Sequence, residues 1–570
     1  TYRLYSILHS VFQSNLFCGI LHVNVRRKAF FRIGNGRTDP KKCFFSLLIM
    51  KGFEKMLSAK VCIMLAIAIY LIAMLAIGIY CSKKNKNVDD FYLGGRKLGP
   101  FVTAMSAEAS DMSSWLLMGL PGVAYLTGVA DAAWTAIGLA IGTYFNWLII
   151  AKRIRIYSHV ADNSITVPDF FSRRYRDDKN ILMCIAAIVI IVFFIPYTAS
   201  GFAACGKLFS SIFGMDYVLA MVISAVVIVG YTVTGGFLAA SATDLVQSIF
   251  MTVAIIIILL FGVKVAGGWD TIITNAQALP GYLNMTETYD VVTGTAAPYS
   301  LLTIISVMAW GLGYCGMPHI LLRFMAIEDR EKLKLSRRVA TTWVVVSMAI
   351  AVSIGIVGYA MTKAGAIPFL EGSTSETIIV RIADLLSQEG MLAAFIAGII
   401  LAGILAATMS TADSQLLAAS SSVSHNLLRG FFKVNISEKT AITIARITVC
   451  VISVIAIFLA RDPDSSVFGI VSFAWAGFGA SFGPVVVFAL FWKRSNKYGA
   501  LAGMIAGGVM VFVWKYLVAP LGGAFGIYEL LPAFVFGALV NIIVSLATPA
   551  PEKEIVEEFE LVQKLYKQKA

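Results

Sequence analysis

Apolar runs of about twenty residues recur along almost the whole of this chain, and that is the length an α-helix needs to cross the hydrocarbon of a bilayer. In lipid every backbone polar group must be satisfied within the chain, which leaves helix bundles or closed barrels. A barrel would read as segments of about ten residues with alternating polarity, and stretches such as "KVCIMLAIAIYLIAMLAIGIYC" do not alternate. The 570 residues are 58% hydrophobic and 14% charged, against about half and a quarter in soluble domains. The fold class is therefore an all-α polytopic membrane protein. Thirteen spans are expected, at 59–81, 100–129, 131–151, 180–211, 216–235, 243–267, 300–324, 339–363, 390–418, 440–460, 465–492, 498–518 and 528–547. They make one transmembrane domain over 56–548, followed by a charged tail at 549–570. Residues 1–55 read as a non-native or disordered extension, because Met50 and Met56 offer natural starts and no cleavable-signal pattern precedes them.

The loops fix an orientation. "CSKKNK", "KRIRIYSHVADNSITVPDFFSRRYRDDK", "EDREKLKLSRR" and "KRSNK" are basic, whereas the loop from Gly268 to Ser300 holds no Lys or Arg. Basic loops stay in the cytoplasm, so the N-terminus is expected outside and the C-terminal tail inside. The net charge of +13 is no nucleic-acid signature, since residues 1–49 alone supply +7 of it. The eight cysteines are scattered singly, which argues against a disulfide framework or a zinc site.

Polar residues inside the spans carry the functional signal. "SAEASDMSSWLLMGLPG" places Glu108 and Asp111 three apart, on one helix face, before a Gly119-Leu120-Pro121-Gly122 break. An intramembrane carboxylate is costly and marks an ion path, a proton relay or a ligand site. Two on one face call for water, a cation or a proton. Irregular backbone at depth is tolerated where it is buried in protein or lines a cavity, and freed carbonyls with hydroxyls suit a small hard cation. The competing reading is a proline kink with serines packed on a neighbour. A second break is expected at "MAWGLGYCGMPHI", Met308 to Ile320. Paired broken helices point to a transport site at the midplane of inverted repeats, here about 100–267 and 300–492. In "LAATMSTADSQLL", Ser410 and Thr411 offer hydroxyl oxygens, or simply close packing. Asp244 reads from composition as a helix N-cap or first-turn acid. Trp310 and Tyr314, four apart, are placed to wall an apolar pocket.

"DFYLGGRKLGPFVTAMSAEASDMSSWLLMGLPGVAYLTG", "AWGLGYCGMPHILLRFMA", "AATMSTADSQLL" and "FGIVSFAWAGFGASFGPVV" closely resemble the sodium:solute symporter family, and within it the bacterial proline carriers. The resemblance runs from about residue 56 to 548. It implies a LeuT-type five-plus-five inverted repeat with one helix before and two after. It implies a sodium site at Ala109, Met112, Ala407, Ser410 and Thr411, and ion coupling through Asp111, Ser106, Ser113, Arg96 and Asp244. It further implies a substrate pocket at Tyr197, Trp310, Tyr314 and Pro318. Glu108, Ser114, Met317 and Asp413 depart from the family's pattern.

The activity so implied is sodium-coupled import of L-proline across the cytoplasmic membrane by alternating access, with sodium as co-transported ion and no organic cofactor. No oligomer is required, and the partners are proline, sodium and the lipid bilayer. The alternatives are a symporter for another small carboxylate such as pantothenate, a transporter-derived sensor, or a channel. An enzyme is not expected, because no nucleophile–base set is visible and no GxxxxGK[ST] loop binds ATP.

Overall fold

The computed structural model describes residues 40–82 and 88–568. The extension expected at 1–55 lies outside the described residues as far as residue 39, and from Pro40 the backbone is already helical. Helix α1 (Pro40–Ser82) includes the first expected span. Next come α2 (Pro100–Ser114), α3 (Leu120–Thr127), α4 (Val129–Phe145) and α5 (Ala151–Val160). Then follow α6 (Ile181–Phe213), α7 (Tyr217–Val265), α8 (Leu301–Met308), α9 (Trp310–Gly313) and α10 (Pro318–Ala326). Further along are α11 (Leu333–Lys363), α12 (Met391–Ser421), α13 (Glu438–Leu459), α14 (Val467–Phe491), α15 (Lys497–Val513), α16 (Leu530–Ala547) and α17 (Lys553–Lys567), with shorter helices in the connections.

Among the described residues ten helices are long and apolar enough to cross a membrane, or eleven with the bent pair Leu301–Gly316 and Pro318–Ala326 taken as one. The expected count of thirteen is not reached by that measure. Helices do lie over the other two positions. One is α2–α3, which is interrupted and polar, and the other is Tyr217–Val233, which is short. The fifth and sixth expected spans are not separated by a loop. They run on as α7 through a single residue, Gly236, at φ 71° and ψ −179°, a conformation open to glycine because it has no Cβ.

Both broken helices exist, and the first breaks earlier than expected. Gly119 and Leu120 keep helical angles, so the Gly-Leu-Pro-Gly stretch is not the break. The irregular residue is Ser113, at φ 47° and ψ −170°, followed by a wide π turn over Trp115–Gly119. Such a conformation is strained for a residue with a side chain. Ser113 Oγ accepts the backbone N–H of Trp115 at 3.0 Å and holds it. The second break falls where it was expected: a tight turn at Tyr314–Gly316, extended Met317, then Pro318 opening α10 at 48° to the preceding helix.

The buried helix α12 packs against α1, α2, α6 and α7. Its residues from Ile400 to Ser422 are buried without interruption. The helix α4 approaches the second break backbone to backbone. A Cβ on Gly142 would meet Gly311 Cα at 2.4 Å, and one on Gly311 would meet Gly138 O at 2.3 Å. The Lys- and Arg-free loop carries a small hairpin, β1 (Glu287–Asp290) with β2 (Thr295–Pro298), whose register pairs Glu287 with Pro298. On the opposite face α17 docks Ile555, Phe559 and Val562 inward, and Arg176 pairs with Glu554 and Glu558.

Candidate functional site

The break at Ser113 faces the polar stretch of α12. Ser410 Oγ donates to Ala109 O at 2.7 Å and to Ala407 O at 3.1 Å, which joins the two helices through three of the five expected sodium ligands. The neighbouring Thr411 Oγ1 is buried and has no partner. Thr411 and Ser113 line the same small gap, with Thr198 and Thr408. Met112 carries the last carbonyl before the irregular residue, and that carbonyl accepts the Trp115 N–H. The donor atoms gathered here are oxygens of carbonyls and hydroxyls, the ligands a hard cation prefers. A buried hydroxyl without a partner is unfavourable by about 1–3 kcal/mol.

Asp111 lies at the break, between two tyrosines. Its Oδ2 accepts from Tyr314 Oη at 2.7 Å, and its carbonyl accepts from Tyr197 Oη at 3.1 Å. One residue thus ties α2 to α6 and to the second break. Glu108 does not share those partners: its Oε1 accepts from Trp147 Nε1 at 2.9 Å, and its Oε2 has none. The acid pair is therefore divided between two environments.

Asp244 is not a helix N-cap. It lies inside α7, fully buried, with Oδ2 accepting from Ser106 Oγ at 2.6 Å and from Arg323 Nη2 at 3.1 Å. Arg323 also donates to Ser106 Oγ at 3.0 Å and to Ser414 Oγ at 2.6 Å, and Ser414 in turn donates to Asp413 Oδ1 at 3.1 Å. Two carboxylates thus surround one guanidinium, and Asp244 Oδ1 and Asp413 Oδ2 lack partners. Arg96 stands apart from this cluster. It donates to Asn163 Oδ1, Ser158 Oγ, Met325 O and Ser164 O, tying the segment before α2 to the basic loop and to the end of α10.

The expected substrate residues divide. Tyr197 and Trp310 line a narrow gap of about 10 Å³ together with Asp111, Trp115 and Trp475. Tyr314 sits behind that wall, its ring edge-on to Trp475 at 5.1 Å, and Pro318 is buried at the first turn of α10. Three participants escaped the reading of the sequence. Arg323 had a signal, a charge inside the apolar run "HILLRFMA", which by the same rule as Asp111 marks function. Trp115 and Trp475 had none beyond being aromatic.

The model of the sodium:solute symporter family matches residues 91–507. The osmoregulated proline transporter of Bacillus subtilis (strain 168) is 41% identical over 507 residues, covering 89% of this chain and 99% of its own. The sodium/proline symporter of Escherichia coli (strain K12) is 41% identical over 495 residues, covering 86% and 94%. Among solved structures, a Na⁺-coupled sialic acid symporter superposes with a TM-score of 0.70 at 19% identity, over 86% of this chain and 99% of that one. That likeness speaks for the fold alone, and the fold is the LeuT-type arrangement. With a family model over most of its length and full-length relatives at this identity, the chain belongs to the sodium:solute symporter family.

Proposed function

We infer that this chain is a secondary active symporter that carries L-proline inward with sodium across the cytoplasmic membrane. The observation that carries the reading is the identity of 41–42% with sodium/proline symporters over almost the whole of both chains. The oxygen set at the first break supports it.

Sodium, as cargo, would bind between α2 and α12. Ser410, whose hydroxyl now donates to the carbonyls of Ala109 and Ala407, would turn its lone pairs to the ion. Thr411 would contribute the oxygen that has no other partner. Met112 would add its carbonyl at the cost of the local bond from Trp115. An ion held from both helices fixes α2 against α12, and with α2 the Asp111 contacts to Tyr197 and Tyr314. The substrate gap lies on the other side of that residue. Each ligand then favours the other by the same factor. The buried set Ser106–Asp244–Arg323 would hold α2, α7 and α10 in step, and Arg96 would guard the end of the path near the basic loop.

Arg176 and Lys493, from two of the basic loops, pair with α17, an end that the positive-inside rule would assign to the cytoplasm; the hairpin loop and the start of the first span would then lie outside. The testing experiment is uptake of labelled proline into proteoliposomes. Imposing an inward tenfold sodium gradient is expected to drive concentrative uptake, and equal uptake with potassium in its place would overturn the reading.

A further inference from the structure

The wall of the substrate gap contains a donor that nothing among the described residues uses. Tyr197 Oη is committed to Asp111 O at 3.1 Å, and Trp475 Nε1 to Trp310 O at 2.8 Å. Trp115 lines the same gap, is 3% exposed, and its Nε1–H is buried without an acceptor. Among the described residues lining the gap it is the one side chain with a buried, unpartnered polar atom. A buried donor in an apolar wall is unfavourable unless something supplies the missing acceptor.

The indole is held rather than loose. Its ring stacks on Phe468 at 5.9 Å and 28°, and lies against Trp310 at 5.4 Å and 33°. Its backbone N–H is fixed by Ser113 Oγ, at the break itself. Asp111, on the same gap, brings a carboxylate, an acceptor. A cyclic amino acid brings the complementary set: an apolar ring for the aromatic walls, a secondary ammonium for an acceptor and a carboxylate for a donor.

We propose that Trp115 is a specificity-determining residue whose indole N–H receives the carboxylate of the transported amino acid. This rests on the transport reading above. Trp115 thereby makes the gap select an α-carboxylate over its neutral amide, and because the residue sits two positions after Ser113, the selection is built into the break that also presents the sodium oxygens.

The test is equilibrium binding of labelled proline to the purified full chain in saturating sodium, with proline and prolinamide as competitors. Dissociation constants do not depend on the folded fraction, so a poorly folding variant still reports. Trp115→Phe keeps the ring stack and removes the N–H. It is expected to weaken proline by about tenfold or more, the usual effect of losing one hydrogen bond to a charged group, and to bring the proline-to-prolinamide preference close to one. Trp115→His, which restores a ring donor, is expected to regain part of both. Wild-type affinity and preference in Trp115→Phe, or equal losses in the Phe and His variants, would overturn the assignment. A wild-type chain that binds no proline in sodium would instead bring down the transport reading, and the assignment with it.

Discussion

A hydroxyl without a partner lets function and stability be separated at one position. Thr411 Oγ1 forms no hydrogen bond within the protein, so Thr411→Val removes a desolvation cost and leaves the shape unchanged. In sodium-free buffer the variant is expected to melt at the same temperature as the wild type or higher. It loses an ion contact, and by the scale of bonds to charged groups its half-saturating sodium for proline uptake should rise about tenfold or more. Sodium-activation curves in proteoliposomes and a thermal-shift assay read the two effects. A fall in melting temperature with unchanged sodium dependence would mean that the hydroxyl serves packing alone. At this scale the sequence pointed to polar residues that interrupt apolar runs, as at Asp111, Ser410 and Thr411, yet Arg323 interrupts one in the same way and was passed over. It was silent on partners. Glu108 and Asp111 are three apart, yet one meets Trp147 and the other Tyr314, because those rings arrive from helices that local spacing does not describe. Asp244 looked like a cap for the same reason: its partner Arg323 lies 79 positions away.

Among the elements, α4 meets the second broken helix backbone to backbone. Gly138 and Gly142 face the backbone around Met308 and Gly311 with no room for a methyl group, the small-residue packing by which membrane helices approach closely. Gly142→Ala is therefore expected to destabilise the protein by about 1–3 kcal/mol, the usual range for overpacking. Because Asn146, one turn further along, donates to Tyr314 O at 3.2 Å, the substitution should also lower maximal transport by displacing the second break. Melting temperature and uptake rate measured together check this, and a variant normal in both would contradict the contact. Both breaks were legible as regions, but only the second by position. Pro121 was the conspicuous breaker, yet a proline in the first turn of a helix removes no hydrogen bond that the helix needs. The chain instead departs from helical angles at Ser113, an ordinary residue held by its own hydroxyl. No propensity marks such a position, since tertiary surroundings impose it.

For the whole molecule the question is how much work one turnover delivers. A potential of 100 mV contributes about 2.3 kcal/mol for each sodium that enters, and a tenfold sodium gradient about 1.4 kcal/mol. One sodium per proline therefore sets a ceiling of several hundredfold accumulation, falling to about tenfold when the potential is clamped at zero. Steady-state proline ratios in proteoliposomes under those two conditions test the coupling, and a ratio well above either ceiling requires more than one ion per cycle. The helical membrane architecture behind this was readable from hydropathy, since the bilayer dictates the length of its helices. The number of clean crossings was not, because α2–α3 gives up apolar length for its polar content and the fifth span runs through Gly236 straight into the sixth.

The docking of α17 has a mechanical corollary. Phe559 rests against the rings and guanidinium of Tyr157 and Arg174, Gln563 takes a hydrogen bond from Arg153, and Arg176 reaches Glu554 and Glu558 from the loop that leads into α6. The final helix thus straps the end of the third crossing to the entry of the fourth. A reporter domain fused behind it, or a protease cutting within Pro549–Pro551, acts on a brace of the machine and not on an idle appendage.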